Sequence, residues 1–394
     1  MLTQRTHEVD VIRLVALLGI CIVNIPTMGV SDGLSGEVII GLEDELFTAE
    51  ANDVAGAVSA ELNQYAKFFT GLFIDGKFLM LFSFVFGWGI AVQEKRISSV
   101  GGDFKAYYFR RSFGLILLGM IHMSFIFAGD ILITYGITCL IFWYLRDYVL
   151  RIPLKKFLWQ MIRYQYLAAI LVGLIMASTV MMDIASPSFL DLGNDALGGS
   201  FSEATHYRFV DGGSFQILSV FLFTFQGLMA FGLGYLAEHL GFFREGSDSF
   251  QKLRSMLPRL FIFGFISNVL YALGMIEVGG GLTMGVGVLL WLVGAPALAA
   301  VYLYYIVIVA RRIRIPELLL LAGRNSLSVY VLQGLIASLM FGGYGLGWFD
   351  EFGELALIPV SIGIYIVTVL IVGLYAKRFG RGFLEPVLRE IGGR

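Results

Sequence analysis

Ten long apolar stretches, each of about 15 to 29 residues, constrain the fold of this chain more than any other feature. A bilayer core about 30 Å thick is crossed by about 20 apolar residues in a helix, which satisfies its own backbone polar groups. The composition agrees, because 57% of the 394 residues are hydrophobic and 15% are charged, against about 25% charged in a soluble domain. The sequence therefore predicts an all-α polytopic membrane protein. Its ten predicted transmembrane helices are Val11–Val30, Phe68–Gln93, Ser112–Ala128, Ile131–Leu145, Phe157–Met182, Phe215–His239, Leu257–Ile276, Leu282–Ala310, Gly323–Gly342 and Leu355–Ala376.

The segments between these stretches alternate in the sign of their charge. Basic segments surround Arg110, Arg146 and Arg311, whereas acidic ones surround Asp44 and Asp191. Because loops rich in lysine and arginine stay in the cytoplasm, this alternation predicts ten spans with both termini cytoplasmic, in the plasma (inner) membrane.

The connecting segments predict a single transmembrane domain over residues 1–394. Two of them, residues 31–67 and 183–214, are long enough to form extracytoplasmic loops with short structure of their own. Residues 377–394 form a cytoplasmic tail, in which we expect a basic amphipathic segment that faces lipid.

Charge and cysteine content exclude several classes of function. A net charge of −2 predicts no nucleic-acid partner. Cys21 and Cys139 lie in apolar stretches without a CxxC or Cys/His spacing, so we expect neither a metal site nor a disulfide bond.

The stretch LLGMIHMSFIFAGDILITYG, residues 117–136, places His122 and Asp130 within largely apolar sequence. Ionisable groups at membrane depth are costly and are therefore candidates for function. Asp130 is expected to cap the fourth helix by accepting its free N–H groups. His122 is expected near the middle of the membrane, either as a hydrogen-bonded core residue or as a group that transfers protons near neutral pH.

The first span carries a polar stripe. Arg13 and Asn24 are eleven residues apart, which on a helix returns to nearly the same face about 16 Å further along. Asp10 lies one turn before Arg13 and can bind its guanidinium group. A simple interfacial ion pair explains Arg13 as well as a binding role does.

Two other spans contain candidate substrate contacts. Lys77 follows Asp75 and Gly76 at the start of the second span, where it either contacts substrate or extends its amine toward the interface. In GRNSLSVYVLQG, residues 323–334, Tyr330 and Gln333 share one helix face, which predicts either substrate binding or helix–helix hydrogen bonds. Arg324 precedes this helix, and a cation at a helix N-terminus favours a nearby anion.

These stretches together resemble a known family. DVIRLVALLGICIVNI, GKFLMLFSFVFGWG, RRSFGLILLGMIHMSFIFAGDILITYG and AGRNSLSVYVLQG…KRFGRGFLEPVLR are similar to YeiB-like membrane proteins, catalogued as domain of unknown function 418. That family looks distantly related to transmembrane acyltransferases, including the acyltransferase-3 and heparan-glucosaminide N-acetyltransferase types. The resemblance implies a helical bundle of the transmembrane-acyltransferase kind and acyl-CoA, such as acetyl-CoA, as cosubstrate.

One departure from the acyltransferases affects the expected chemistry. The acyltransferase-3 proteins carry a histidine where this chain has Asn24, so His122 would have to supply the base. The resemblance then implies that His122, Asp130 and Asn24 are catalytic, and that an acyl-CoA is bound by Arg13, Arg111 and Arg324. Tyr330, Gln333 and Lys77 are further candidates for contacting substrate. Expected partners are the lipid bilayer, a small-molecule or glycan acceptor, and a second copy of the chain in a homodimer.

Two alternative functions stay open: a structural or assembly role without catalysis, which would leave the interior around His122 packed and without a cavity, and proton-coupled transport of a small molecule. In the transport hypothesis His122, Asp130 and Lys77 form a proton relay. Against it, we find no sequence repeat between the two halves, which many secondary transporters contain.

Overall fold

The computed structural model describes residues 6–30, 54–181 and 195–393. Within these ranges the chain forms helices and no strand, which confirms the all-α prediction. The helices are α1 His7–Asn24, α2 Pro26–Gly29, α3 Val54–Phe73, α4 Lys77–Ser98, α5 Phe104–Phe125, α6 Leu132–Arg151, α7 Leu154–Met181, α8 Asp195–Gly198, α9 Phe201–His239, α10 Asp248–Met275, α11 Gly280–Arg312, α12 Glu317–Arg324, α13 Ser326–Phe341, α14 Glu354–Phe379 and α15 Glu385–Ile391.

The number of membrane-crossing helices is supported only in part. In the described ranges, six helical segments are long and apolar enough to cross a bilayer, and α12 with α13 makes a seventh if this pair, bent by 84°, is one span. The ten spans and the side on which each terminus lies therefore remain predictions. The six segments are His7–Gly29, Ala60–Ser98, Gln216–His239, Asp248–Met275, Gly280–Arg312 and Glu354–Phe379.

Helices occupy parts of both segments that we predicted to be loops. Helix α3 starts at Val54, inside the first segment, and packs against α10. Helix α9 starts inside the second segment, where Ser200 and Glu203 form a reciprocal capping box. Such a box satisfies two N–H groups at a helix start, which explains the early beginning of α9. The rest of these segments, 31–53 and 183–194, lies outside the described residues.

Helix α4 lies at the centre of the bundle, in contact with α1, α5, α9 and α11. Its closest neighbour is α9, and the two helices meet at glycines. A Cβ atom on Gly87 would overlap the carbonyl oxygen of Phe231, and one on Gly234 would overlap that of Phe84. Small residues at such a crossing let two backbones approach closely, as in many membrane helix pairs.

Substituting Gly234 with alanine is expected to destabilise the bundle by about 1–3 kcal/mol or more, because the added methyl group would push against backbone rather than a movable side chain. Thermal unfolding of the purified protein in detergent measures this change. The matched control is Gly285→Ala in α11, where a Cβ atom meets nothing within 4 Å. Equal melting temperatures for the two variants would contradict the packing described here.

The tail docks on the bundle, which corrects the prediction of a lipid-facing segment. Helix α15 packs against α5, and Leu388 is only 7% exposed. The Glu385 carboxylate accepts a hydrogen bond from the Ser328 N–H at 3.0 Å, and Asn325 accepts one from the Gly382 N–H at 2.8 Å. These polar contacts hold the tail at the break between α12 and α13, because Asn325 and Ser328 flank the start of α13.

Candidate functional site

The side chains of His122 and Asp130 lie against each other in the interior. Helix α5 ends at Phe125 and α6 starts at Leu132, so the short corner between them brings the two residues together. His122 Nδ1 and Asp130 Oδ1 are 2.9 Å apart, and both residues are 2% exposed. The angles at this contact are not those of a good hydrogen bond, so we describe it as a close buried pair. The end of the bundle that holds this corner is called the corner end below.

Asp130 also performs the capping role predicted from the sequence. Its Oδ2 atom accepts a hydrogen bond from the Ile133 N–H at 2.8 Å in the first turn of α6. Its carbonyl oxygen accepts a second one from Gln216 of α9, also at 2.8 Å. The carboxylate is therefore held by helix geometry next to the imidazole.

Helix α13 forms the opposite wall of the pair. The Tyr330 ring lies 5.0 Å from the His122 ring between centroids, and its hydroxyl accepts a hydrogen bond from the Ile131 N–H at 3.4 Å. Gly334 leaves space for His122, since a Cβ atom there would lie 2.8 Å from Nε2. Within the described residues, neither His122 Nε2 nor the amide nitrogen of Gln333 has a hydrogen-bond partner. Tyr330 and Gln333 thus share the buried face that the sequence predicted, next to an imidazole nitrogen that has no hydrogen-bond partner among the described residues.

Arg13 and Arg324 meet at Asp10, at the opposite end of the bundle, which we call the arginine end. Asp10 Oδ1 lies 3.4 Å from Arg13 Nη1, and its Oδ2 lies 2.7 Å from Arg324 Nε. The carboxylate is buried, whereas each arginine side chain is about a quarter exposed, at 24% and 25%. This contact joins α1 to α12 across 314 positions of sequence.

The position of Arg324 corrects one prediction. Arg324 is the last residue of α12, and Asn325 separates it from α13. A cation is favoured at a helix C-terminus, and Asp10 supplies the countercharge, so the helix itself gives no reason to place an anion there.

Arg111 lies beside this cluster. Its Nη1 donates to the Gln93 side chain at 3.3 Å, and its guanidinium lies 4.9 Å from the centre of the Phe86 ring. Arg13 approaches α4 one turn before Gln93, where its Nη2 lies 3.7 Å from the point that a Cβ atom on Gly89 would occupy. The two guanidinium groups therefore face neighbouring turns of α4.

Arg111 and His122 occupy the same side of α5. They are eleven residues apart, which corresponds to about 16 Å along the helix and a rotation of only about 20°. The same helix thus carries a cation near the arginine end and the buried imidazole near the corner end.

Asn24 and Lys77 stand apart from the buried pair. Asn24 is the last residue of α1, and no described contact joins its side chain to His122. Lys77 is fully buried on α4, where its amine donates to the Gly71 carbonyl at 2.5 Å and lies 5.9 Å from the Tyr271 ring. No described contact therefore links Lys77 to His122 or Asp130, as the proton relay considered from the sequence would require.

Sequence reasoning missed Arg208 and Gln216, two polar residues of α9 at the corner end. Arg208 is 3% exposed, Gln216 is 4% exposed, and both hydrogen-bond to residues around the α5–α6 corner. Arg208 was overlooked because it falls in a segment that we predicted to be an outer loop. No motif marks either residue; Gln216 lies within the predicted sixth span, whereas only the early start of α9 brings Arg208 into the bundle.

Comparison with known proteins finds a family model that matches part of the chain and one distant relative. Residues 237–392 match the family model described as "Protein of unknown function (DUF418)". The uncharacterized protein YxaH of Bacillus subtilis (strain 168) is 24% identical over 409 residues, which cover 98% of this chain and 94% of that protein. No solved structure matches. These matches do not extend to the transmembrane acyltransferases. They support the resemblance to the YeiB-like (DUF418) proteins inferred from the sequence, with the family model matching residues 237–392.

Proposed function

We propose that this protein is an integral membrane acyltransferase, which moves an acyl group from acyl-CoA to an acceptor at or across the membrane. One observation carries the proposal: His122 is buried against Asp130 through Nδ1, while Nε2 has no partner in the described part of the chain. A neutral imidazole held in this way presents an unprotonated nitrogen to a reactant, as a general base requires. Of the four histidines, His122 alone is paired with a buried aspartate in the described ranges.

The proposed step uses His122 as the base. The acceptor's hydroxyl or amine attacks the thioester carbonyl, and its proton passes to Nε2. The new bond joins the acceptor's oxygen or nitrogen to the acyl carbon. The carbon–sulfur bond then breaks, and the leaving thiolate takes the proton from the imidazolium, so the protein returns to its starting state. Asp130 remains ionised throughout and stabilises the transient positive charge of His122. In a second version of the step, Nε2 itself carries the acyl group between the two reactants.

An oxyanion forms in either version of the step. Tyr330 is the best-placed donor, because its ring packs on His122 and its hydroxyl reaches the α6 corner. Asn24 is a second candidate, and it would have to approach the pair when substrate binds.

The arginine end is the proposed site for the phosphates of acyl-CoA. Three guanidinium groups lie near this end, because Arg13 and Arg324 both contact Asp10 and Arg111 faces the neighbouring turn of α4. Guanidinium groups match the geometry of phosphate oxygens. An extended acyl-pantetheine arm running beside α5 would then place its thioester about 16 Å away, at the level of His122.

The experiment measures acyl transfer in proteoliposomes that contain the purified protein. Acetyl-CoA labelled on the acetyl group is supplied from one side, with glucosamine, glycerol or a phospholipid as trial acceptor. Thiol release that depends on the protein, with label appearing on an acceptor or on His122, supports the proposal. Transport of a solute without acyl-CoA, and no thiol release above that of empty liposomes, would reject it in favour of the transporter.

The Arg111→Met variant is expected to raise the KM for acetyl-CoA roughly 10- to 100-fold with little change in kcat. A charge-assisted hydrogen bond contributes about 1.5–3 kcal/mol, and about 1.4 kcal/mol corresponds to a tenfold change in binding. The control is Arg110→Met, which removes an exposed arginine at the neighbouring position of the same helix. An equal rise in KM for both variants would indicate a general charge effect and contradict this assignment.

A further inference from the structure

A buried arginine without a carboxylate partner lies close to the His122 site. Arg208 of α9 is 3% exposed, and none of its described contacts is with an acidic side chain. Its guanidinium donates to the Phe125 carbonyl at 3.3 Å, to the Ser338 hydroxyl at 3.3 Å and to the Tyr344 hydroxyl at 2.9 Å. The removal of a charge from water costs several kcal/mol per ion unless an opposite charge compensates. Neutral acceptors offset only part of this cost, so the position favours an anion.

The groups around Arg208 suit an anion with several oxygens. The hydroxyl groups of Ser338 and Tyr344 contact each other and the guanidinium Nη2, so three hydrogen-bond donor groups converge on one point. A small cavity of about 10 Å³ adjoins them, lined by Arg208, Ser338, Gly342 and Thr27 among others. This volume holds about one water molecule. A larger anion would therefore have to separate the Ser338 and Tyr344 hydroxyls and occupy the space between them. A phosphoryl group, with three or more oxygens, matches this number of donors better than a carboxylate does.

The same residues lie about one helical turn from His122. Phe125, which accepts from Arg208, is in the last turn of α5, three positions after His122. Ser338 is four positions after Gly334, the residue against His122 Nε2, and therefore lies one turn further along the same face of α13. A phosphoryl group at Arg208 would thus hold a ligand whose neighbouring part reaches the imidazole.

We propose that Arg208, with Ser338 and Tyr344, binds a phosphoryl group of the acceptor at the corner end of the bundle. The acceptor would then be a phospholipid or a soluble phosphate ester, with its reacting hydroxyl or amine directed toward His122. The identification of this ligand as the acyl acceptor rests on the proposed acyl transfer. The binding site itself does not require that reaction.

A purely structural role for Arg208 is the competing explanation, since the guanidinium ties α9 to α5 and α13. The two explanations differ in their response to ligand. A structural arginine stabilises the protein regardless of phosphate, whereas a binding arginine makes the stability depend on phosphate concentration.

The experiment measures thermal unfolding of the detergent-purified protein at constant ionic strength, as chloride is replaced by inorganic phosphate or by glycerol 3-phosphate. A parallel series uses detergent micelles that contain either phosphatidylglycerol or, as the phosphate-free control, diacylglycerol. Stabilisation of the wild type in the first series indicates a soluble phosphate ester, and stabilisation only in the second indicates a lipid headgroup. The Arg208→Gln variant is expected to lose the shift, whereas Arg163→Gln, at an exposed position of α7, is expected to keep it.

The Arg208→Lys variant covers the outcome in which Arg208→Gln does not fold. Lysine keeps the charge and loses the two-pronged geometry, so half-maximal stabilisation should require at least about tenfold more ligand. No shift for the wild type in either series, or an unchanged ligand dependence in both Arg208 variants, would overturn the proposal. A phosphate-dependent shift without thiol release in the acyl-transfer assay would leave this site in place and reject only the proposed function.

Discussion

Replacing His122 with asparagine is expected to lower the rate of acyl transfer about 10²–10⁴-fold, the range contributed by a positioned general base. Asparagine keeps a donor near the position of Nδ1 and can still hydrogen-bond Asp130, so the buried carboxylate is not left alone. It has no counterpart of Nε2, the atom that would accept the proton or carry the acyl group. The effect should therefore fall on kcat, with a smaller change in the KM for acetyl-CoA.

The matched control for this prediction is His206→Asn, which changes an exposed histidine of α9. Thiol release with labelled acetyl-CoA gives the rates, and thermal unfolding in detergent shows whether each variant folds. A folded His122→Asn protein that transfers acetyl groups at the wild-type rate would exclude His122 as base and as acyl carrier.

The Asp130→Ala variant is expected to lose about 1–3 kcal/mol of stability through its contact with His122, the usual cost of leaving a buried polar partner unsatisfied. The substitution also removes the N-terminal cap of α6, and the loss of such a cap costs about 0.5–2 kcal/mol of stability. Both losses arise because one carboxylate serves the His122 imidazole with Oδ1 and the Ile133 N–H with Oδ2. Chemical or thermal unfolding in detergent micelles measures the difference.

Asp103→Ala separates the two contributions. Asp103 caps α5 in the same way, through a 3.0 Å hydrogen bond from the Ala106 N–H, but it is exposed and contacts no histidine. Its loss should therefore cost only the capping term of about 0.5–2 kcal/mol. If Asp130→Ala costs no more than Asp103→Ala, the buried pair contributes nothing to stability. A double variant that also carries His122→Asn should lose less than the sum of the single losses, since neighbouring partners are not additive.

Local sequence was sufficient for the helices and for part of the site. The run predicted as Leu282–Ala310 forms the helix Gly280–Arg312, because a long apolar run in a bilayer has no alternative to helix. The sequence also placed His122 and Asp130 eight positions apart on the two sides of one short corner, whereas their direct contact came from the structure. Asp130 as a cap also followed directly from its place before an apolar run.

Long-range contacts were not accessible in this way. Nothing in the local sequence around Arg324 indicates that its partner is Asp10, because the contact depends on how α12 packs on α1. The sequence treated Arg324 as a residue that needs an anion, whereas the packing supplies one. Arg208 was assigned to a loop for a related reason. The charged and aromatic residues at the start of α9 give no local sign that its side chain is buried.

The sequence by itself determined that the chain is a bundle of membrane helices, because uninterrupted apolar runs satisfy their backbone polar groups only as helices. It also determined that Asp130 caps the helix that follows the corner after His122. Only the tertiary structure decided which charges are compensated, because the free energy of a buried charge depends on partners that the packing of distant helices brings near. That packing gave Arg324 a carboxylate and left Arg208 with neutral acceptors among the described residues.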